Sequence, residues 1–427
     1  MITADFLFYV ALFLIWFVLV YHMFLMQGGV LFVLKQSRLE VEKGITDENC
    51  PTVSVLIPAH NEEVVIEDTL KAMVEIEYPR DKLEVILIND NSSDRTGVIA
   101  DAYASQYPFL KVLHNSPYEA GKGKSGALNQ GLKIAKGEFI VVYDADNRPE
   151  KDAVYNLASK LQQDPEAGAV IGKFRVMNAE RNLLTRFINI ETIGFQWLAQ
   201  AGRWFWFKLV TIPGTNFAIR KSILETLGGW DEKALSEDTE LSIRVYNLGY
   251  YIKFSPDAVT WEQEPETWDV WWKQRLRWAR GNQYVIVKYM RQSFKLKRKK
   301  VFLDLCYLFF TYFIFMGSIV LSHVLFLLNL FKVIDISAGS VSIFLLLLAF
   351  VVFLLENLLA LSLEEGQLTI RNAFNVTSMY FTYSQIWVLL VVFSMFLEIK
   401  RVLLHQEVKW YKTKRYGTDG HVPRLPK

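Results

Sequence analysis

Apolar residues fall into two kinds of pattern along the chain. Four runs, Phe6–Met26, Phe302–Phe331, Ser342–Leu363 and Val376–Leu397, are apolar almost throughout. Each approaches or exceeds the roughly 20 residues that carry a helix across a hydrocarbon core. Between the first and second runs, from about Lys35 to Lys300, short apolar stretches alternate with polar clusters over a length suited to one or two globular domains. Val53–Ile57 reads as a β-branched strand ended by Pro58, and Glu62–Ile76 carries a helical pattern. Glu84–Ile88 is a second strand, stopped by Asn89-Asp90-Asn91-Ser92-Ser93, with Asp94 placed to cap a helix beginning near Arg95. Lys111–Leu113 is a third candidate strand. A glycine-rich segment, Gly121–Gly126, then leads into a helix to Ala135 and a strand at Phe139–Tyr143. Strands alternating with helices predict an α/β domain with a mostly parallel sheet.

This pattern divides the chain into a membrane anchor (1–34), a globular domain (35–260), an amphipathic interfacial segment (261–300), a second membrane region (301–400) and a basic tail (401–427). The first run lacks a basic leader and a small-residue cleavage site, so it reads as an anchor. Lys35, Arg38 and Lys43 follow it, and Arg291, Lys295, Lys297, Arg298, Lys299 and Lys300 precede the second run. The positive-inside rule therefore puts the globular domain in the cytoplasm of a multi-pass plasma-membrane protein. If each run crosses once, the tail (Lys409, Lys412, Lys414, Arg415) lies on the far side. One run lying in the interface or re-entering, or a break near Gly317, changes that count. Cys50 and Cys306 stand far apart and fit a reducing compartment, with neither a disulfide framework nor a zinc site. The formal charge of +2, with basic clusters beside membrane runs, argues against nucleic acid as a partner.

Ligands of open parallel sheets bind outside the carboxyl ends of the strands. Three polar clusters fall there: Pro58-Ala59-His60-Asn61-Glu62, Asp90, and Asp144-Ala145-Asp146. Any one of them could be an ordinary Asp/Asn turn, but three at one edge point to a binding site. Asp144 and Asp146, one residue apart on extended backbone, aim two hard oxygen donors the same way. Such a pair suits Mg²⁺ or Mn²⁺ and leaves positions for substrate phosphates. Farther on, Pro213–Arg220 reads as a turn into a strand, and Ser236-Glu237-Asp238-Thr239-Glu240 opens a helix running towards Asn247. Acidic residues there complement the helix dipole, and Asp238 is also a candidate general base.

Trp271-Trp272-Lys273-Gln274-Arg275-Leu276-Arg277-Trp278 precedes the second run. On a helix, Gln274, Arg277 and Trp278 share one face. They offer an amide, a guanidinium suited to phosphate and a flat ring suited to a sugar, while Trp268, Trp271 and Trp272 read as an interfacial anchor.

Together these residues carry a family resemblance. Asp90, the Asp144/Asp146 pair, Glu237-Asp238 and Gln274-Arg275-Leu276-Arg277-Trp278 occur in the order seen in membrane-integrated processive glycosyltransferases of family 2, the group of cellulose, hyaluronan and poly-N-acetylglucosamine synthases. The resemblance covers about Thr52 to Gly281. It implies a cytoplasmic GT-A domain flanked by transmembrane helices, a UDP-sugar donor and an Mg²⁺ or Mn²⁺ cofactor. On the donor side it implies Pro58, Ala59, Glu62, Asp90, Lys124, Asp144, Gln274 and Arg277. Asp146 would hold the metal, Asp238 with Glu237 would form the catalytic acidic pair, and Trp278, Gly214 and Thr215 would face the acceptor. The implied reaction is an inverting transfer to the non-reducing end of a β-linked polysaccharide, coupled to export, with membrane lipid and accessory secretion subunits as further partners. Transfer of one sugar to a membrane lipid stays open as the alternative. The sequence departs from many relatives at Asn89, Asn91 and Ser236, and Pro265-Glu266-Thr267-Trp268 resembles the poly-N-acetylglucosamine and hyaluronan type.

Overall fold

The computed structural model describes residues 4–36, 49–234, 236–293, 296, 299–337, 339–404, 413, 415 and 416. Of the basic residues used above for orientation, Arg38, Lys43, Lys295, Lys297, Arg298, Lys409, Lys412 and Lys414 lie outside the described residues. The chain divides into two compact units. One comprises residues 37–192, 208–270 and 412–427, and the other 1–36, 193–207 and 271–411. This division differs from the sequence boundaries in three places: 193–207 leaves the globular domain, 261–270 joins it, and so does the tail from 412.

The first unit is built on an eight-stranded sheet, β1 (Val53–Ala59), β2 (Leu83–Asn89), β3 (Leu110–His114), β4 (Phe139–Val142), β5 (Arg148–Pro149), β6 (Ala167–Val176), β7 (Phe217–Arg220) and β8 (Tyr251–Glu262), in the order β3-β2-β1-β4-β7-β6-β8-β5. β3, β2, β1 and β4 run parallel, so their carboxyl ends share one edge. β7 enters antiparallel between β4 and β6, and β6 and β8 run parallel to each other. The α/β expectation of a mostly parallel sheet holds, with the antiparallel pairings confined to β7 and β5. Helices Ile66–Glu75, Thr96–Gln106, Gly123–Ile134 and Ala153–Gln162 connect or follow the parallel strands.

Strands covered on both faces carry near-continuous apolar sequence. All four β4 side chains, Phe139, Ile140, Val141 and Val142, are fully buried, and each contributes about 1.5–3 kcal/mol by leaving water. Phe139→Ala would remove the largest and cost about 3–5 kcal/mol. β1 continues through Pro58 to Ala59 instead of ending at Ile57. Proline lacks a ladder donor, and it is tolerated here because the β4 pairing stops at Leu56, leaving Pro58 opposite β2 alone.

The second unit is helical. Ala4–Gln36, Lys299–Leu330, Ile343–Ser362 and Ile370–Arg401 are long and apolar enough to cross a membrane. Of the alternatives for the span count, a break near Gly317 is not found: Lys299–Leu330 is helical, with a π-helical stretch at Phe310–Phe315. Residues 193–207 join this unit through close backbone contact. A Cβ on Gly29 would stand 2.3 Å from the Trp197 carbonyl oxygen, and one on Gly202 would stand 2.1 Å from that of Leu25. Only glycine lets the first helix and Phe195–Gly202 approach so closely. Polar pairs reinforce the unit: Arg203 with Asp304, Trp197 Nε1 with Glu364 at 3.1 Å, and Arg280 with Glu398 at 2.6 Å.

Candidate active site at the strand ends

The loops after β1 and β2 are laced together. Asp90 N–H donates to the Ala59 carbonyl (2.8 Å), Asn61 N–H to Ser92 Oγ (2.9 Å), Ser93 N–H to Asn61 Oδ1 (2.7 Å) and Glu62 N–H to Thr96 Oγ1 (2.7 Å). Asn61 and Asn91 both adopt φ of 54°, a left-handed turn that asparagine tolerates better than most residues. Asp94 Oδ1 accepts the Thr96 N–H at 2.9 Å from one residue ahead of the N-cap position, which is Arg95 and carries no side-chain cap bond. Within this lacework Asp90 is nearly buried. Its two oxygens accept from Asn115 Nδ2 (2.8 Å) and the Gly121 N–H (3.4 Å), so a carboxylate, an amide and the glycine-rich turn meet at this point.

Next along the edge, Asp144 is gripped from two sides. Its N–H donates to Asn147 Oδ1 and Thr215 Oγ1, both at 3.0 Å, while its carboxylate pairs with the Lys124 ammonium. Lys124 Nζ also donates to the Gly214 carbonyl at 2.7 Å. Burial works against the lysine's charge, but Asp144, Glu237 and Asp238 outweigh it and raise its pKa. Thr215, expected on the acceptor side, is buried with its hydroxyl bonded to Asn147, so it shapes the Asp144 turn. Asn147 is itself fully buried, and its Nδ2 has no hydrogen-bond partner.

Asp238 reaches this cluster because its helix, Glu237–Asn247, is stitched to the irregular segment that leads into Gly214. Val210 N–H donates to the Tyr246 hydroxyl (2.8 Å), which donates back to the Val210 carbonyl (2.9 Å). Ser242 Oγ accepts the Ile212 N–H (2.9 Å) and donates to the Asp238 carbonyl (2.8 Å). Gly214, at φ +89°, then passes so close that a Cβ there would sit 3.0 Å from Asp238 Oδ2. Asp144, Lys124, Gly214 and Asp238 thus form one site, although Asp144 and Asp238 are far apart in sequence.

Asp146 faces a different neighbourhood. It is 4% exposed, and its Oδ2 accepts from the Gln263 N–H (3.4 Å) and from the Arg415 guanidinium (2.8 Å). Burial raises its pKa, with Arg415 opposing and Asp144 reinforcing the shift. Glu262, at the end of β8, is pushed well above the carboxylate range by burial and by the charges of Glu264, Asp146 and Asp144. Glu262, Gln263, Asn115, Asn147 and Arg415 were not singled out in the sequence. The acid-rich Glu262-Gln263-Glu264-Pro265-Glu266 following a β-branched strand is the signal that could have found the first two.

Gln274, Arg277 and Trp278 belong to the helical unit, on the helix Trp268–Arg291. Gln274 Oε1 accepts from Arg275 at 2.5 Å, and the Arg275 guanidinium lies 4.1 Å from the centre of the Trp278 ring. Trp271 is not an interfacial anchor. It is fully buried, donating to the Tyr383 hydroxyl at 2.9 Å with its ring edge-on to Trp387, and Trp272 packs near Phe393.

A mostly parallel sheet whose carboxyl edge gathers aspartates, a lysine and glycine-rich turns places a polar site where open α/β sheets bind their ligands. The family model for glycosyl transferase family 2 matches residues 54–228. Probable glycosyltransferase YdaM of Bacillus subtilis (strain 168) is 59% identical over 411 residues, covering 96% of this chain and 98% of the relative. Poly-beta-1,6-N-acetyl-D-glucosamine synthase of Staphylococcus epidermidis is 32% identical over 251 residues, 59% of each chain. The solved structure of mannosyltransferase PcManGT from Pyrobaculum calidifontis, in complex with GDP-Man and Mn²⁺, has a TM-score of 0.57 at 22% identity and covers 90% of this chain and 97% of its own, which is a likeness of fold. The chain belongs to glycosyl transferase family 2 and is a glycosyltransferase with a GT-A-like domain.

Proposed function

We propose that the protein moves a sugar, with inversion, from a UDP-sugar to the non-reducing end of a growing β-linked polysaccharide, coupled to export across the membrane. The observation that carries this reading is the meeting of Asp144, Lys124, Gly214 and Asp238 at one strand edge. The 32% identity to a poly-beta-1,6-N-acetyl-D-glucosamine synthase supports the polymer as product. In this reading Asp90, with Asn115 and the Gly121 turn, holds the nucleobase, and Asp144 and Lys124 hold the nucleotide and its diphosphate. Asp238 accepts the acceptor hydroxyl's proton as that oxygen attacks the anomeric carbon from the face opposite UDP. One displacement forms the new glycosidic bond, expels UDP and inverts the centre. Gln274 and Arg277 on the diphosphate, and Trp278 under the acceptor sugar, rest on motif identity and spacing.

The donor set suits a divalent cation. Burial first, and the like charges of neighbouring carboxylates second, raise the pKa of Asp146 and Glu262, with Asp144 among those neighbours for both, and the donors are hard oxygens. Among the described residues no three or more acidic, His or Cys side chains are grouped so as to hold a metal by themselves. When bound through Asp146, Mg²⁺ or Mn²⁺ would offset the charge that grows on the departing diphosphate. The chain's own cations then matter most where charge develops.

The tail helps with topology. Arg415 and Tyr416 belong to the catalytic unit, so both lie on the same side of the membrane, which the basic residues assign to the cytoplasm. An even number of crossings then separates Val270 from Lys412, and the three candidate spans between them do not each cross once. Ile370–Arg401 is the run best suited to lie along or re-enter the membrane, because it breaks at Thr382 (φ −124°, ψ −80°) into Ile370–Phe381 and Tyr383–Leu404.

The test is to offer the purified full-length chain a panel of radiolabelled UDP-sugars and GDP-mannose with Mn²⁺ or Mg²⁺, then size the product and digest it with linkage-specific hydrolases. A long β-linked polymer from one UDP-sugar is expected. A single sugar on lipid would rule out processivity, and turnover only with GDP-mannose would overturn the donor.

A further inference from the structure

The lysine of the donor side and the general base stand on two helices far apart in the chain, Lys124 on Gly123–Ile134 and Asp238 on Glu237–Asn247. Both helices grip the same turn. That turn, Gly228-Gly229-Trp230, closes the short helix Lys221–Leu227 and is left-handed at two successive residues, with φ of 74° and 83°. From one side Asn129, on the Lys124 helix, pairs both ways with the Trp230 backbone. The Trp230 N–H donates to Asn129 Oδ1 at 2.8 Å, and Asn129 Nδ2 donates to the Trp230 carbonyl at 2.9 Å and to Glu232 Oε1 at 3.2 Å. The fit is close, because a Cβ on Gly229 would stand 2.3 Å from Asn129 Oδ1.

From the other side comes Arg244, on the Asp238 helix. Its Nη1 donates to the Leu227 carbonyl and its Nη2 to the Gly229 carbonyl, each at 3.0 Å, while its Nε donates to Glu240 Oε2 at 2.6 Å. The guanidinium is a rigid planar fork, so filling three acceptors fixes the helix against the turn in both distance and direction. The Leu227 carbonyl is one that a helix end leaves without an intrahelical partner, and a cation is favourable there. Ser242 and Tyr246 already attach the Asp238 helix to the segment that leads into Gly214. The Arg244 fork attaches it a second time to a different segment, and two separate attachments remove the pivot that a single one leaves.

We propose that Asn129 and Arg244 are positioning residues for the transfer, and that the Gly228-Gly229-Trp230 turn between them sets the distance from the Lys124 ammonium to the Asp238 carboxylate. This rests on Asp238 being the general base and Lys124 serving the diphosphate. Asn129 and Arg244 act through the backbone of the turn and not on the reacting atoms. A direct displacement needs its base and its leaving-group cation in place on opposite faces of one carbon at the same moment, and a misplacement of about 1 Å costs on the order of 10²-fold.

The experiment is a double-mutant cycle on the full-length protein in detergent, with kcat measured on the donor that gives turnover in the panel above and UDP affinity measured by calorimetry. Asn129→Ala and Arg244→Ala should each lower kcat about tenfold with UDP affinity within about twofold of wild type. The double variant should fall no further than the worse single one, because both break the same bridge. Arg244→Lys, which keeps the charge and loses the fork, should show the same split in milder form and guards against a folding artefact. Amide hydrogen exchange supplies a readout without turnover. Asn129→Ala, whose lost bonds go to the turn, should speed exchange in the first turns of Glu237–Asn247 and leave Thr96–Gln106 as in wild type. Losses of kcat that multiply in the double variant, or wild-type exchange in the Asp238 helix, overturn the bridge. Asp238→Asn separates the two readings: wild-type turnover there removes the general base, whereas an inactive Asp238→Asn beside wild-type kcat in Asn129→Ala and Arg244→Ala removes the bridge alone.

Discussion

Asp144 and Asp146 are one residue apart, yet their surroundings are built on different principles. Asp144 is paired with Lys124, which also holds the Gly214 carbonyl, and its backbone is fixed by Thr215 and Asn147. These partners come from the helix Gly123–Ile134 and from the turns beside the sheet, and Lys124 and Gly214 of this network also meet Asp238. Asp146 depends on Gln263 at the end of β8 and on Arg415 from the tail. The first neighbourhood is pre-organised, because each partner is tied to the sheet or to a neighbouring turn. The second relies on the Arg415 guanidinium, whose neighbour Tyr416 is bonded to the Gln263 side chain. Two carboxylates of one strand-end turn are thus held in different ways, Asp144 by groups fixed to the sheet and its adjoining helix and turns, Asp146 by one partner at the end of β8 and one from the tail.

The sharpest test of the rigid side is Asp238→Asn. Losing the general base should lower kcat by about 10³-fold, while UDP affinity, read by calorimetry, stays within about twofold, since Asp238 faces Gly214 and not the Asp90 turn. Comparable turnover in that variant removes Asp238 from the mechanism. On the Asp146 side, Asp146→Ala should lower activity by about 10²-fold and remove stimulation by Mn²⁺, checked by titrating metal against rate. Metal-stimulated turnover in that variant would count against the role of Asp146. Lys124→Met leaves Asp144 without its ammonium and should cost about 2 kcal/mol, seen mainly as a raised KM for the donor. A rise confined to acceptor KM would show that Lys124 serves the other side. The smallest effect is expected from Gly214→Ala. An alanine at φ +89° is strained by about 1–2 kcal/mol, and its Cβ presses on Asp238 Oδ2. A fall of about tenfold in kcat with donor KM unchanged is the expected kinetic signature.

Much of the site could be read from sequence. The β1, β2 and β4 strands announce themselves through short β-branched runs, and the Asn/Asp turns after them are the only places for a parallel sheet's ligands. Asp90, Asp144 and Asp146 fall at those ends, and the helix opening at Glu237 begins where its acidic residues indicate. The role of Thr215 was not legible, because a hydroxyl in a turn does not reveal whether it faces ligand or backbone. The place of residues 193–207 was hidden too. Their pattern is apolar and aromatic in a stretch otherwise read as globular, and the deciding feature is that Gly29 and Gly202 permit backbone contact at 2.3 and 2.1 Å for a would-be Cβ. Trp271 looked like a headgroup residue and is a core residue, because an indole N–H that finds a buried hydroxyl such as that of Tyr383 no longer needs water.

The sequence alone determined the elements from β1 to β4 with the helices between them, the polar edge of the sheet and the four apolar runs, since these depend on periodicity and turn chemistry that act over a few residues. Only the tertiary structure decided which charges neutralise which. Lys124 meets Asp144 through the sheet, Gly214 meets Asp238 through the stitched helix, and Arg415 meets Asp146 from the far end of the chain. A buried charge takes whatever counter-ion the fold delivers to it, and no local pattern records which one that is.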